Sequence, residues 1–186
     1  MAIDAFLEIE GVKGESLDEY FRKQSKAVIE IHSFDLGGTF VGETHDKKTL
    51  KKMAKAGRTP QTGEGARSTK DIFSFSVSKH LDSASTDLLK NYAQTRSKSL
   101  SPFKSAKVHL RKTGDKNFFY LVLEFTEVYV VGYEMELDDP ATNTPTESLQ
   151  FCFSSCKITY RPQKQTGGRD APIGPMGWDF KTNQKL

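Results

Sequence analysis

FFYLVLEFTEVYVVGYEMEL (118–137) is twenty residues of strand character with an interruption near its middle. Phe119, Leu121, Leu123 and Phe125 hold alternate positions, as a half-buried strand requires. Glu127 breaks that phase, and Val128 and Val130 continue it one residue out of step. A flat strand would turn those valines to water, so the pattern predicts one long strand with a bulge or bend at 126–128. Long bent strands are how a sheet closes a sandwich corner or curls into a barrel.

The same device recurs downstream. In ESLQFCFSSCKITYRP (147–162), Leu149, Phe151 and Phe153 give way to Ile158 and Tyr160 after the SSC tripeptide. Upstream, KSAKVHLRK (104–112) alternates with Ala106, Val108 and Leu110 inward, and TGDKN (113–117) supplies a hairpin turn. KDIFSFSVSK (70–79) sets Phe73, Phe75 and Val77 against Ser74, Ser76 and Ser78. AIDAFLEIE (2–10) and KAVIEIHSFDL (26–36) read as strands, with the glycine-rich turn GVKGES (11–16) after the first. Only LDSASTDLLKNYAQ (81–94) changes period: Ser83 or Ser85 can cap a helix, and Leu88, Leu89, Tyr92 and Ala93 form its apolar stripe. After the loop QKQTGGRDAPIGPMG (163–177), WDF starts a last strand. The expectation is a mainly β, two-sheet β-barrel or sandwich of about seven strands. It has one flanking α-helix and a long extended loop, in a single domain spanning 1–186.

That loop lies within 39–69. Glycines recur there and large apolar residues are few, so it cannot build a core of its own. DKKTLKKMAKAG inside it has the cap and spacing of a short helix. Net charge is only +3, yet 44–70 holds eight Lys or Arg against Asp46 and Glu64, so the segment carries +6 and the remainder −3. A solvated face, a dock for an acidic protein surface and a phosphate-binding patch all fit this asymmetry. No aromatic residue is interleaved between Phe40 and Phe73 to stack on bases, which weakens the nucleic-acid reading.

Chemistry is scarce. The histidines at 32, 45, 80 and 109 lack ligand spacing, and TGEGARSTK (62–70) lacks the rest of a phosphate loop. No nucleophile elbow occurs. The expectations are therefore no catalytic residue, no cofactor and no metal. Cys152 and Cys156 read as free thiols of a reducing compartment: on one strand their CxxxC spacing is about 13 Å, too long for a disulfide. No apolar window is long enough for a membrane helix, and the first residues lack the pattern of a Sec signal.

Four pieces, AIDAFLEIEGVKGES, KHLDSASTDLL, ITYRPQKQTGG and GPMGWDFKTNQKL, together resemble the hemolysin-coregulated protein (Hcp) family, the tube protein of type VI secretion. They come in the family's order and span nearly the whole chain. The segment 38–70 departs from the pattern by being longer and lysine-rich. The resemblance implies a homo-hexameric ring, rings stacked into a hollow tube, sheath and spike proteins as partners, and effector cargo in the lumen. It implies cytoplasmic assembly before firing, then secretion, with no stable membrane insertion and no nucleic-acid partner. The alternative is a nucleic-acid-binding β-barrel using 44–70. By analogy, SFDLGG (33–38) approaches the lumen with Ser33 and Asp35 facing cargo. Loop residues Lys47, Lys48, Lys51, Lys52, Lys55 and Arg58 reach the next ring. Trp178 is expected to start a docked terminal strand, with Gly174, Pro175 and Gly177 setting the turn into it, so that Trp178→Ala costs about 3–5 kcal/mol.

Overall fold

The structure, a computed structural model, describes residues 3–39, 72–94, 101–112, 118–137, 144–163 and 170–186. Along the chain come β1 (Ile3–Ile9), α1 (Glu19–Lys23), β2 (Ile29–Ile31), β3 (Ser33–Thr39), β4 (Ile72–His80), α2 (Ser85–Gln94) and β5 (Phe103–Lys112). β6 (Phe119–Glu136), β7 (Thr146–Cys152), β8 (Ser155–Tyr160), β9 (Ile173–Asp179) and β10 (Gln184–Lys185) follow. The basic segment 40–71, its short helix and the 113–117 turn lie outside the described residues.

All pairings are antiparallel and fall into two layers that share β6. The first runs β10-β9-β8-β6-β5-β1-β2, and the second runs β3-β4-β7-β6. The bend that the sequence predicts is the hinge between them. Residues Phe119–Val128 of β6 pair with β5, and Tyr129–Glu136 pair with β7. At the changeover Glu127 takes a left-handed φ of 49°, a conformation that costs a residue with a Cβ and needs support. Ser154 Oγ at 2.5 Å and Lys181 Nζ at 3.0 Å hold its carboxylate in place. The inserted residue keeps Leu123 and Phe125 buried before it and Val128 and Val130 buried after it.

Two further crossings turn expected single strands into pairs. His32 separates β2 from β3, and Phe153 with Ser154 separates β7 from β8. The outer ends of the layers are joined by the chain at His32, whose N–H donates to Ser78 O at 2.8 Å, so the sheet itself does not close. Between the layers Phe75 stacks on Phe151 and on Phe125 at centroid distances of 4.7 and 4.4 Å, which ties β4, β7 and β6 into one core.

On the outer side of the first layer, α1 and its flanking chain bury a second, smaller cluster of Phe6, Phe21 and Val28. Arg111 covers it, lying 5.0 Å from the Phe6 ring and paired with Asp4 at 2.9 Å and with Asp18. Gly14 admits this packing, since any Cβ there would run into the carbonyl of Val28. α2 is the expected flanking helix and lies on the second half of β6, but its buried side is Ser85, Leu88 and Asn91, while Leu89 and Ala93 face outward. The correction has a polar cause. Asn91 Oδ1 accepts the N–H of Val130 at 3.0 Å and its amide donates to Ser101 O at 3.0 Å, tying the helix to two backbone groups. No helix among the described residues is long and apolar enough to cross a membrane.

Candidate assembly surface

The first layer has more strands than the second, and the excess is β8, β9 and β10. Side chains on its core side form rows across the ladder. One row runs Leu7, Val108, Leu123, Ile158, Met176, and the next runs Ala5, Leu110, Leu121, Tyr160, Ile173. Burial falls as each row leaves the shelter of the second layer: Leu123 is 1% exposed and Met176 is 64% exposed. Ile173 at 62%, Tyr160 at 45% and Trp178 at 42% complete an apolar face on β8 and β9 that the protomer leaves bare. β9 is also an edge among the described residues from Ile173 to Met176, because β10 pairs with it at Asp179 and Trp178 and the Leu186 N–H adds one bond to Gly177 O at 3.0 Å. A contiguous apolar face beside an open edge is the signature of a partner interface.

The tryptophan expected as a buried anchor therefore needs correcting. Trp178 does lie in a strand docked on the sheet, opposite Cys156, but near the strand's end and half exposed. Gly174, Pro175 and Gly177 lie within that strand rather than in a turn before it. Two of them are fitted to it: a Cβ on Gly177 would lie 2.7 Å from Lys157 Cγ, and one on Gly174 2.7 Å from Ile158 O. The anchor of this terminal segment is Phe180. Its ring stacks on Phe73 at 4.0 Å and its N–H donates to Ser154 O at 2.9 Å. Asp179 closes the following turn by accepting from the N–H groups of Thr182 and Lys181, at 2.9 and 2.8 Å, which holds its carboxyl below the usual range.

The second layer turns a polar face outward. Ser33, Ser78, Ser148 and Glu134 form one row, and Asp35, Ser76, Gln150 and Gly132 form the next. Ser33 and Ser78 share a hydrogen bond of 2.6 Å, and Asp35 is exposed beside them. The structure thus brings Ser33 and Asp35 onto one face, which small hydroxyl side chains keep flat. β3 and the second half of β6 are its two edges. The residues Lys47, Lys48, Lys51, Lys52, Lys55 and Arg58 lie outside the described residues.

An ionic cluster built on a fully buried Lys79–Glu147 pair was not foreseen. Lys79 Nζ contacts Glu147 Oε2 at 2.6 Å, Asp82 Oδ1 at 2.7 Å and Ser85 Oγ at 2.9 Å, and Tyr133 donates its hydroxyl to Glu147. Burial, followed by the Glu147 carboxylate, pushes the Tyr133 phenol up. Asp82 also accepts the N–H of Ala84 at 3.0 Å, so Asp82, rather than the expected Ser83 or Ser85, caps the start of α2, and Ser85 Oγ accepts the Asp82 N–H at 3.1 Å in return. The cluster bolts that helix to β4 and β7. Its signal is in the sequence, because Lys79 continues the inward phase of Phe75 and Val77, and Glu147 that of Leu149 and Phe151.

Cys152 and Cys156 are free, on β7 and β8, and burial pushes both thiols up, Cys156 to about 11. Among the described residues no group of His, Cys, Asp or Glu gathers as a metal site.

Comparison with known proteins places this surface in context. Residues 6–160 match the family model described as "Type VI secretion system effector, Hcp". Protein hcp1 of Pseudomonas aeruginosa is 24% identical over 114 residues, 61% of this chain and 67% of that protein. A solved structure of a type six secretion system protein superposes with a TM-score of 0.73 at 25% identity, covering 100% of both chains. Hcp1 from Salmonella typhimurium shares the fold with a TM-score of 0.65 at 24% identity, again over 100% of each chain.

Proposed function

Because this chain belongs to the Hcp family of type VI secretion proteins, we propose that six copies close into a ring, and that rings stack into the hollow tube that secretion expels. The role is structural and transporting, not catalytic. The observation that carries this reading is the bare apolar face of β8 and β9. A single copy leaves Ile173, Met176 and Trp178 in water, and a head-to-tail neighbour removes them from it. Identical copies joined through two different patches either close or grow without limit, and closure also covers the open edges β9, β3 and β6.

In this arrangement the polar face of the second layer lines the lumen, with Ser33 and Asp35 toward effector cargo. A wall of serines offers hydrogen bonds and no adhesive apolar patch, as transit requires. The loop 39–69, with Lys47, Lys48, Lys51, Lys52, Lys55 and Arg58, reaches the adjoining ring. Assembly takes place in the cytoplasm, beside sheath and spike proteins, before the tube is fired out of the cell. Electron microscopy of the purified chain tests the reading: six-membered rings with a central opening support it, and a field of isolated single copies refutes it.

A further inference from the structure

At the end of β8, next to the bare face, a cleft of about 550 Å³ opens among Phe118, Tyr120, Tyr160, Lys112, Arg161 and Gln163. Its walls are aromatic and its two charged groups are both cations. Among the described residues Lys112 Nζ donates to the amide oxygen of Gln163, at 2.6 Å, and meets no carboxylate. The Arg161 guanidinium has no carboxylate partner among the described residues, although its backbone N–H is fixed on Tyr120 O at 2.7 Å. This sets it apart from Arg111, Lys79 and Lys26, each of which meets a carboxylate. Burial and the neighbouring Tyr160 push the Tyr120 phenol up, so it stays a hydrogen-bond donor. Two cations and a phenol donor between aromatic walls are complementary to a carboxylate.

We infer that this cleft receives a carboxylate side chain from a second copy of the chain and forms the charged end of the ring interface. The inference rests on the ring reading and adds to it the chemistry that fixes the neighbour's register. The choice of a second copy over a free anion follows from Tyr160, which belongs both to the cleft and to the apolar row with Ile173. A small anion would fill the cleft and leave that row in water, whereas a folded neighbour covers both at once. Aromatic walls exclude solvent around the pair, where charge-assisted hydrogen bonds are stronger than at an open rim.

Light scattering on the full chain at low and high sodium chloride tests this, with a Lys112→Ala, Arg161→Ala double variant and its conservative counterpart, Lys112→Arg with Arg161→Lys. The parent ring should loosen with salt. The alanine variant should dissociate at a concentration about tenfold higher or more, with little remaining salt dependence. The conservative variant should recover most of the loss. An alanine variant that assembles like the parent at both salt concentrations overturns the inference and leaves the ring standing. Tyrosine fluorescence with citrate as the probe gives an independent check that needs no variant. Citrate that binds assembled rings as tightly as dissociated chains shows the cleft open in the ring and overturns the inference. Citrate that binds dissociated chains and is excluded from rings supports it. A parent chain that never assembles overturns both readings together.

Discussion

Met176→Glu separates folding from assembly more cleanly than any other single change. In the protomer Met176 is 64% exposed; on the same face Ile173 and Trp178 are 62% and 42% exposed, while Ile158 beside it is partly buried against the core. A glutamate there stays solvated in the isolated chain, so its unfolding free energy should move by about 0.5 kcal/mol or less, as for an ordinary surface substitution. The interface responds differently. Removing a whole methionine side chain from water is worth about 1.5–3 kcal/mol, so about 1–2 kcal/mol is still to be gained when a neighbour covers the exposed part. The variant forfeits that and adds the desolvation of a carboxylate, an effective cost of several kcal/mol where no cation meets it. Every interface of a ring carries the same defect, so the losses accumulate around the circle. Thermal unfolding by circular dichroism and mass by light scattering are read on the same sample. The expected result is a parental melting temperature with rings replaced by single copies. Rings that persist with parental stability would show that the bare face of β9 is not where neighbours meet.

Lys79→Met should destabilise the chain by about 3–5 kcal/mol, because it leaves the Glu147 charge buried without a cation, and Glu147→Gln should cost less, because Asp82 still meets Lys79. In a denaturant-unfolding cycle the double variant should cost less than the sum of the two. Gly14→Ala should lower stability by about 1–3 kcal/mol through its clash with the Val28 backbone, visible as an earlier melt. Glu8 is held down to about 2, first by its hydrogen bond with His109 and then, against the opposing effect of burial, by Lys26. Its folded value lies below its ordinary value of 4.5, so its contribution is complete above that pH and is lost as pH falls toward 2. Urea midpoints measured across this window should fall more steeply in the parent than in Glu8→Gln. Deleting 44–68 should leave rings but abolish stacked tubes in electron micrographs; tubes formed by the deletion variant would contradict the stacking role given to that loop.

Much of the fold is legible in the sequence because burial writes itself as phase. The break at Glu127 could be read because two residues of known hydrophobicity, Val128 and Val130, stand on the wrong side of it for a flat strand. The same shift at His32, from Ile29 and Ile31 to Phe34, is too short to recognise against the surrounding polar residues, so β2 and β3 merge into one predicted strand. Lys79 and Glu147 keep the inward phase of their strands, yet the general rule that charges face water conceals them. Only the three-dimensional pairing shows that each compensates the other. Trp178 illustrates a different limit. Apolar residues in alternating positions reveal that a face wants cover, but not whether the cover comes from the same chain or from another. Here the protomer supplies it for Leu123 and withholds it for Met176 in the same row. Ser33 and Asp35 came from the family resemblance and not from any pattern in their own strand; the register puts them on one face, and which space that face borders depends on the assembly.

The central claim is that the surface left bare by one copy is completed by the next until a circle forms. Its most direct measurement is the absolute mass of the purified chain in solution across a dilution series. The account predicts a species of six times the 20.9 kDa protomer that persists over a wide concentration range. A mass that stays at one protomer at every concentration would contradict it.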